Sequence, residues 1–218
     1  MEVLPRDLIP IARVFGLIGI SFIIAGYILS LFIPGIVFLR IVGYIHILLG
    51  VYLLSKILDD RRLYHRCILY ALSLSIATVI AYFSTLAFVK AILPRLALYT
   101  RGAATVSLLE IRSILLEYIV WIIIAYMLFL VGMISIYYVY KPIGARLENP
   151  LFKETAILYL LAGILTPFII GIPILVVAML VEIAAWSKLG RKTKTLKDII
   201  KLYQGENIEE TPFEYKVH

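Results

Sequence analysis

Apolar residues fill this chain in long runs with the polar ones gathered between them, a pattern of spans and breaks rather than of alternating faces. The run from Glu154 to Leu189, ETAILYLLAGILTPFIIGIPILVVAMLVEIAAWSKL, sets the reading. A straight helix of that length reaches about 50 Å at ~1.5 Å per residue, against a hydrocarbon core about 30 Å thick. It must fold back. Near its middle stands Gly171-Ile172-Pro173, where glycine ends one helix cheaply and proline, lacking an N–H, opens the next. The expectation is a tight hairpin of two short spans, 155–170 and 173–189.

Four earlier runs complete the pattern, at about 14–33, 36–58, 67–89 and 114–140. Residues 1–13, with Pro5 and Pro10, read as a cytoplasmic N-terminal lead, and the first run, which has no small-residue cleavage site after it, as a permanent helix. Pro34-Gly35 turns the chain. Gly16, Gly19, Gly26 and Ser30 share one face of the first span, and Gly43, His46 and Gly50 one face of the second, so these helices can approach closely. Asp59-Asp60-Arg61-Arg62, with His65 and Arg66, forms a first polar loop, and Lys141 to Lys153 a second. The mixed stretch Lys90 to Ser113 reads as a loop with an interfacial helical turn. Tyr137, Tyr138 and Tyr140 look like a headgroup-level cluster, with Trp121 and Trp186 as further anchors.

Beyond Gly190 the character changes. Leu196, Ile199, Ile200 and Tyr203 follow a capping-box-like start at helical spacing, with lysines elsewhere on the turn. Within residues 190–218 this predicts a short basic amphipathic helix on the cytoplasmic membrane surface, then an acidic tail. Docking of that helix on the protein's own loops is an equal alternative.

Composition sharpens the picture. With 62% hydrophobic residues in 218 and a mean hydropathy of +1.00, the chain exceeds the apolar content of soluble domains. Backbone groups in hydrocarbon must pair within their own segment, so long continuous runs make helices. The expected fold is all-α, an integral membrane bundle of six transmembrane helices arranged as three hairpins. A net charge of +7 could point to nucleic acid, but no basic domain interleaved with aromatics is present to hold one. It reports topology instead. Sixteen of the 21 Lys and Arg fall on the side bearing the N-terminus, and only Lys90, Arg95, Arg101 and Arg112 on the other, with Arg40 inside a span. Making the last run a single crossing would change that balance to nine against eleven. The positive-inside rule therefore predicts six spans with both termini cytoplasmic. The single cysteine, Cys67, forms no internal disulfide, and a scarcity of Asn, Gln, Cys and Met suits a thermophile.

Three stretches carry a resemblance: LSLFIPGIVFLRIVGYIHILLGVYLLSKILDDRRLYHRCILYAL, the fourth span, and LFKETAILYLLAGILTPFIIGIPILVVAMLVEIAAWSKL. The Phe32-Ile33-Pro34-Gly35 turn, Tyr52-Leu53-Leu54-Ser55 at the end of a span, the charged break before an aromatic, and Leu151-Phe152-Lys153 opening the final hairpin are its markers. Across roughly residues 14–189 the chain resembles an archaeal family of small polytopic membrane proteins, domain of unknown function 996. The resemblance implies an archaeal cell membrane and a helical bundle, and no catalytic residue.

Polar groups inside spans are costly, and four stand out: Arg40, His46, Glu117 and Glu182. Glu182 shares a face with Ala178 and Ala185 and should point into the bundle near mid-depth, where an unpaired carboxyl keeps its proton. Its replacement by Gln should then leave folding nearly unchanged. His46 and Glu182 could form a proton or cation relay; as hydrogen-bonded packing residues they need no such role, and that reading leads. Arg40 either pairs with Glu117 or snorkels to the headgroups, with snorkelling preferred. Asp59 and Asp60 each have a neighbouring Arg and read as a solvated loop, more than as a metal or phosphate site or the site of an enzyme acting on lipid, and His65 has no partner at ligand spacing. HExxH, GxGxxG, GxxxxGK[ST], GxSxG and paired CxxC are absent. No catalytic, cofactor or metal residue is expected. The leading expectation is a non-enzymatic accessory or scaffolding component, partnered by the bilayer, by other membrane subunits or by itself. The alternative is a small-solute or ion transporter or channel using Glu182 and His46, which the Gly/Pro-interrupted first and last hairpins favour.

Overall fold

The computed structural model describes residues 5–100 and 108–190. It is all-helical there: α1 (Pro5–Leu29), α2 (Leu39–Ile57), α3 (Arg61–Thr100), α4 (Leu108–Arg146), α5 (Pro150–Leu165) and α6 (Gly171–Lys188). Short 3-10 turns at Pro34–Phe38 and Thr166–Phe168 join α1 to α2 and α5 to α6. Among the described residues, six helices are long and apolar enough to cross a membrane. The amphipathic helix expected at Leu196, Ile199, Ile200 and Tyr203, and the tail after it, lie outside the described residues.

Each helix packs on its neighbours in sequence, and α6 returns to α1, closing the bundle. The α1–α2 seam is the small-residue face expected. A Cβ on Gly19 would stand 2.8 Å from the Gly43 carbonyl oxygen, and one on Gly43 2.6 Å from that of Gly19, so only glycine permits this approach. The two polar loops meet at one end: Arg146 pairs with Asp60 at 2.9 Å and donates to the Leu58 carbonyl at 3.3 Å. Asn149 caps α5 through its side-chain oxygen, which accepts from Leu151 N, and its amide donates to the Ala185 carbonyl of α6 at 3.1 Å.

α3 begins at Arg61, inside the expected first polar loop, and helix ends depart from expectation in three further places. First, the supposed lead is helical from Pro5, since proline at the first position of a helix loses no bond that the helix would make, and Pro10 is carried inside it. Second, much of the stretch from Lys90 to Ser113 is not loop. There α3 runs on to Thr100 through Pro94, and α4 begins at Leu108 and continues through Pro142 to Arg146. Polar residues there interrupt the apolar run without breaking the backbone. Third, the final hairpin bends earlier than Gly171: Pro167 cannot donate and ends α5, and Ile169 takes a left-handed φ of 66°. Gly171 opens α6, where a Cβ would stand 2.5 Å from the Ala162 carbonyl oxygen.

These extensions give α3 and α4 unequal company. Phe38, in the first turn, meets Tyr82 of α3 with ring centres 5.1 Å apart, and Tyr126 of α4 donates to the Gly163 carbonyl near the end of α5. Past those contacts α3 and α4 each continue for 18 residues, about 27 Å at 1.5 Å per residue. Phe88 stacks on Tyr118 at 4.4 Å within this arm.

Candidate functional site

The buried stripe of α6, Leu175, Ala178, Met179, Glu182, Ala185 and Trp186, follows helical spacing and brings one carboxyl into the core. Glu182 is fully buried. It accepts from the hydroxyls of Tyr140 on α4 and Tyr159 on α5 and from the indole N–H of Trp186, one turn on, at 3.2 Å. Both carboxyl oxygens take part in hydrogen bonds, one with Tyr140 and Trp186 and the other with Tyr159. Glu182 is thus hydrogen-bonded within the core and not unpaired. Along α6 it stands six positions, about 9 Å, before Lys188 at the polar-loop end.

Two aromatics expected as headgroup anchors are therefore core residues. Trp186 and Tyr140 are fully buried, and their rings pack edge-on around Phe152. Tyr137 and Tyr138 do face outward: Lys141 donates to the Tyr137 hydroxyl at 2.8 Å, and the Arg66 guanidinium lies over Tyr138 at 5.3 Å. Sequence carried one available signal. Tyr140 continues the Ile136, Tyr140, Ile143 spacing of the buried face of α4, whereas Tyr137 and Tyr138 do not.

The other intramembrane polar residues lie elsewhere. His46 is half-buried on the α1–α2 seam, with its ring against Phe15 and Phe22 at 6.1 and 5.5 Å. Its Nδ1 donates to the Val42 carbonyl at 2.8 Å; a carbonyl only accepts, so that nitrogen carries the hydrogen. No hydrogen bond or ion pair joins it to Glu182. Glu117 is exposed on the α3–α4 arm beside Phe88, Tyr118 and Trp121 and makes no ion pair with Arg40. Asp60 accepts from Arg62 N at 3.0 Å besides holding Arg146. His65 donates to its own helix at the Arg61 carbonyl. Among the described residues, no three His, Cys, Asp or Glu side chains come together as a metal site would require.

Arg40, at the start of α2, turns inward. Its Nη2 donates to Ser30 Oγ at 3.0 Å, its guanidinium lies over the Tyr27 ring at 4.0 Å, and its Nε is buried without any partner. Beside it is a cavity of about 720 Å³ bounded by α1, α2, α3, α4 and α6. Its walls are mostly Leu, Ile, Ala and Phe, with Tyr44, Thr78, Tyr126 and Thr166 as scattered polar groups. Neither Glu182 nor His46 lines it.

Six apolar helices closed on one another, with a buried polar knot and an internal cavity, define a multi-pass integral membrane protein. The chain belongs to the family described as "Protein of unknown function (DUF996)", whose profile matches residues 39–180. No curated protein and no solved structure matches the chain.

Proposed function

We propose that this protein acts without catalysis, by association, as an accessory component of a larger assembly in the cell membrane. The α3–α4 arm is the observation that supports this reading. Among the described residues, its two members past the other helices cover only each other, and Phe83, Leu93, Leu116, Val120 and Trp121 stay exposed. Charged Lys90, Arg112 and Glu117 stand exposed among them. Lipid alone suits an unbroken apolar surface; a mixed one suits the flank of another membrane protein, where charges can pair and rings can pack. Positive charge at the polar-loop end favours a cytoplasmic location for that end. The bilayer and the partner together would cover the arm.

Purification from native membranes in mild detergent, followed by mass measurement of the intact particle, tests the proposal. A stoichiometric foreign subunit, lost on Leu116→Asp, is expected. A particle made of this chain alone overturns it.

A second reading, passage of a small solute or ion, draws support from the cavity. Its route would run past Arg40 and Tyr126 and not along a Glu182–His46 relay. Flux into vesicles that is abolished by filling the cavity with Ala125→Trp would favour it.

A further inference from the structure

We infer that the cavity beside Arg40 is a binding site for an amphiphile with one acidic head and an alkyl chain. This rests on the Arg40 surroundings alone and is independent of any partner on the arm. A guanidinium presents five N–H donors in a planar fork suited to carboxylate or phosphate. In Arg40 one nitrogen is satisfied by Ser30, one face is covered by Tyr27, and the Nε is sealed from solvent with no acceptor. No acidic side chain pairs with it: among the described residues the ion pair found is Asp60–Arg146, and Glu117 is on the arm. Arg40 is thus a cation whose counter-charge is not supplied by the neighbouring helices.

The adjoining space defines the remainder of the ligand. At about 720 Å³ it falls within the ~300–1,000 Å³ common for small-molecule sites. Away from Arg40 its walls offer side chains such as Leu74, Phe129 and Leu175, which accept methylenes and cannot solvate a polar molecule. Its rim includes Ile28 of α1 and Val176 and Leu180 of α6, all exposed on the outer surface of the bundle. The opening between those helices therefore faces hydrocarbon, the medium in which such a molecule is dissolved. A water-soluble anion would have no apolar tail to fill the space, and a neutral lipid would leave the Arg40 guanidinium charge unmatched.

Oleate, oleyl alcohol and phosphatidylglycerol serve as probes, with binding to the purified full chain in nanodiscs measured by radioligand saturation and competition. Oleate should bind saturably at one site per chain. It should bind the Arg40→Gln variant about tenfold more weakly, as loss of a charge-assisted hydrogen bond requires, with partial recovery in Arg40→Lys. Oleyl alcohol should bind weakly, and equally to the wild type and Arg40→Gln. Filling the space with Ala77→Phe should remove both. Competition by phosphatidylglycerol would identify a bilayer lipid as the source of the acidic head, and its failure to compete would identify a free single-chain acid. Absence of saturable oleate binding, or equal binding of oleate and oleyl alcohol to the wild type, overturns the inference whether or not the variants fold.

Discussion

Glu182 and Arg40 are both ionisable groups taken out of water in the same bundle, yet their surroundings are opposite. Around Glu182, α4, α5 and α6 each contribute a donor, and no space is left over. Around Arg40, one bond is made, one nitrogen is stranded and a cavity begins. A polar group closed by its own protein acts as glue between helices. A polar group left open beside space is a site waiting for something else. The two halves of the bundle should therefore respond differently to substitution.

The closed half should be the more easily broken. A Cβ on Gly16 would overlap the Trp186 ring, so Gly16→Leu forces α1 away from α6 and costs about 3 kcal/mol or more; size-exclusion chromatography in detergent should show no monodisperse protein. Glu182→Leu strands three donors. Two of these bonds are interhelical, and at roughly 0.6–1.7 kcal/mol each the loss is about 2 kcal/mol, so the melting temperature should fall by roughly 4–8 °C. Glu182→Gln keeps an acceptor and should lose about a third of that. A Leu variant as stable as the wild type would mean that the knot is not glue.

Away from the knot, substitutions should be tolerated much better. Asp60→Asn at the polar-loop end removes only a partly exposed ion pair, worth about 0.5 kcal/mol, and its effect should vanish in molar salt. Smaller still is Arg40→Gln: it deletes the stranded Nε along with the Ser30 bond, so the melting temperature should shift by less than about 2 °C in either direction. A collapse of stability in that variant would make Arg40 a structural residue and erase the contrast with Glu182.

Sequence revealed the spans because burial in lipid demands long apolar runs, and it revealed the α1–α2 seam because close backbone approach demands small residues at helical spacing. It placed Glu182 on an inward face correctly. Its donors were less visible: a tyrosine or tryptophan near a helix end serves equally well as an anchor or a core donor, and only the packing of α4 against α5 and α6 turned Tyr140, Tyr159 and Trp186 inward. Helix ends were obscured for a different reason. The bends are set by backbone hydrogen bonds at Pro167 and Ile169, while Pro94 and Pro142 sit inside continuous helices, so the same residue type marks a break in one place and none in another. The stranded nitrogen of Arg40 depends on how α2 packs against the end of α1 and has no local signature.

The unequal lengths of the helices also act on the surroundings. The apolar run of α4 from Ile114 to Tyr140 covers about 40 Å, while α2, from Leu39 to Ile57, covers about 28 Å. A difference of that size is met by tilting of α3 and α4, by thicker lipid along their flank, or by both. Where lipid thickens, the α3–α4 flank favours neighbours with long spans and the α1–α2 flank those with short ones.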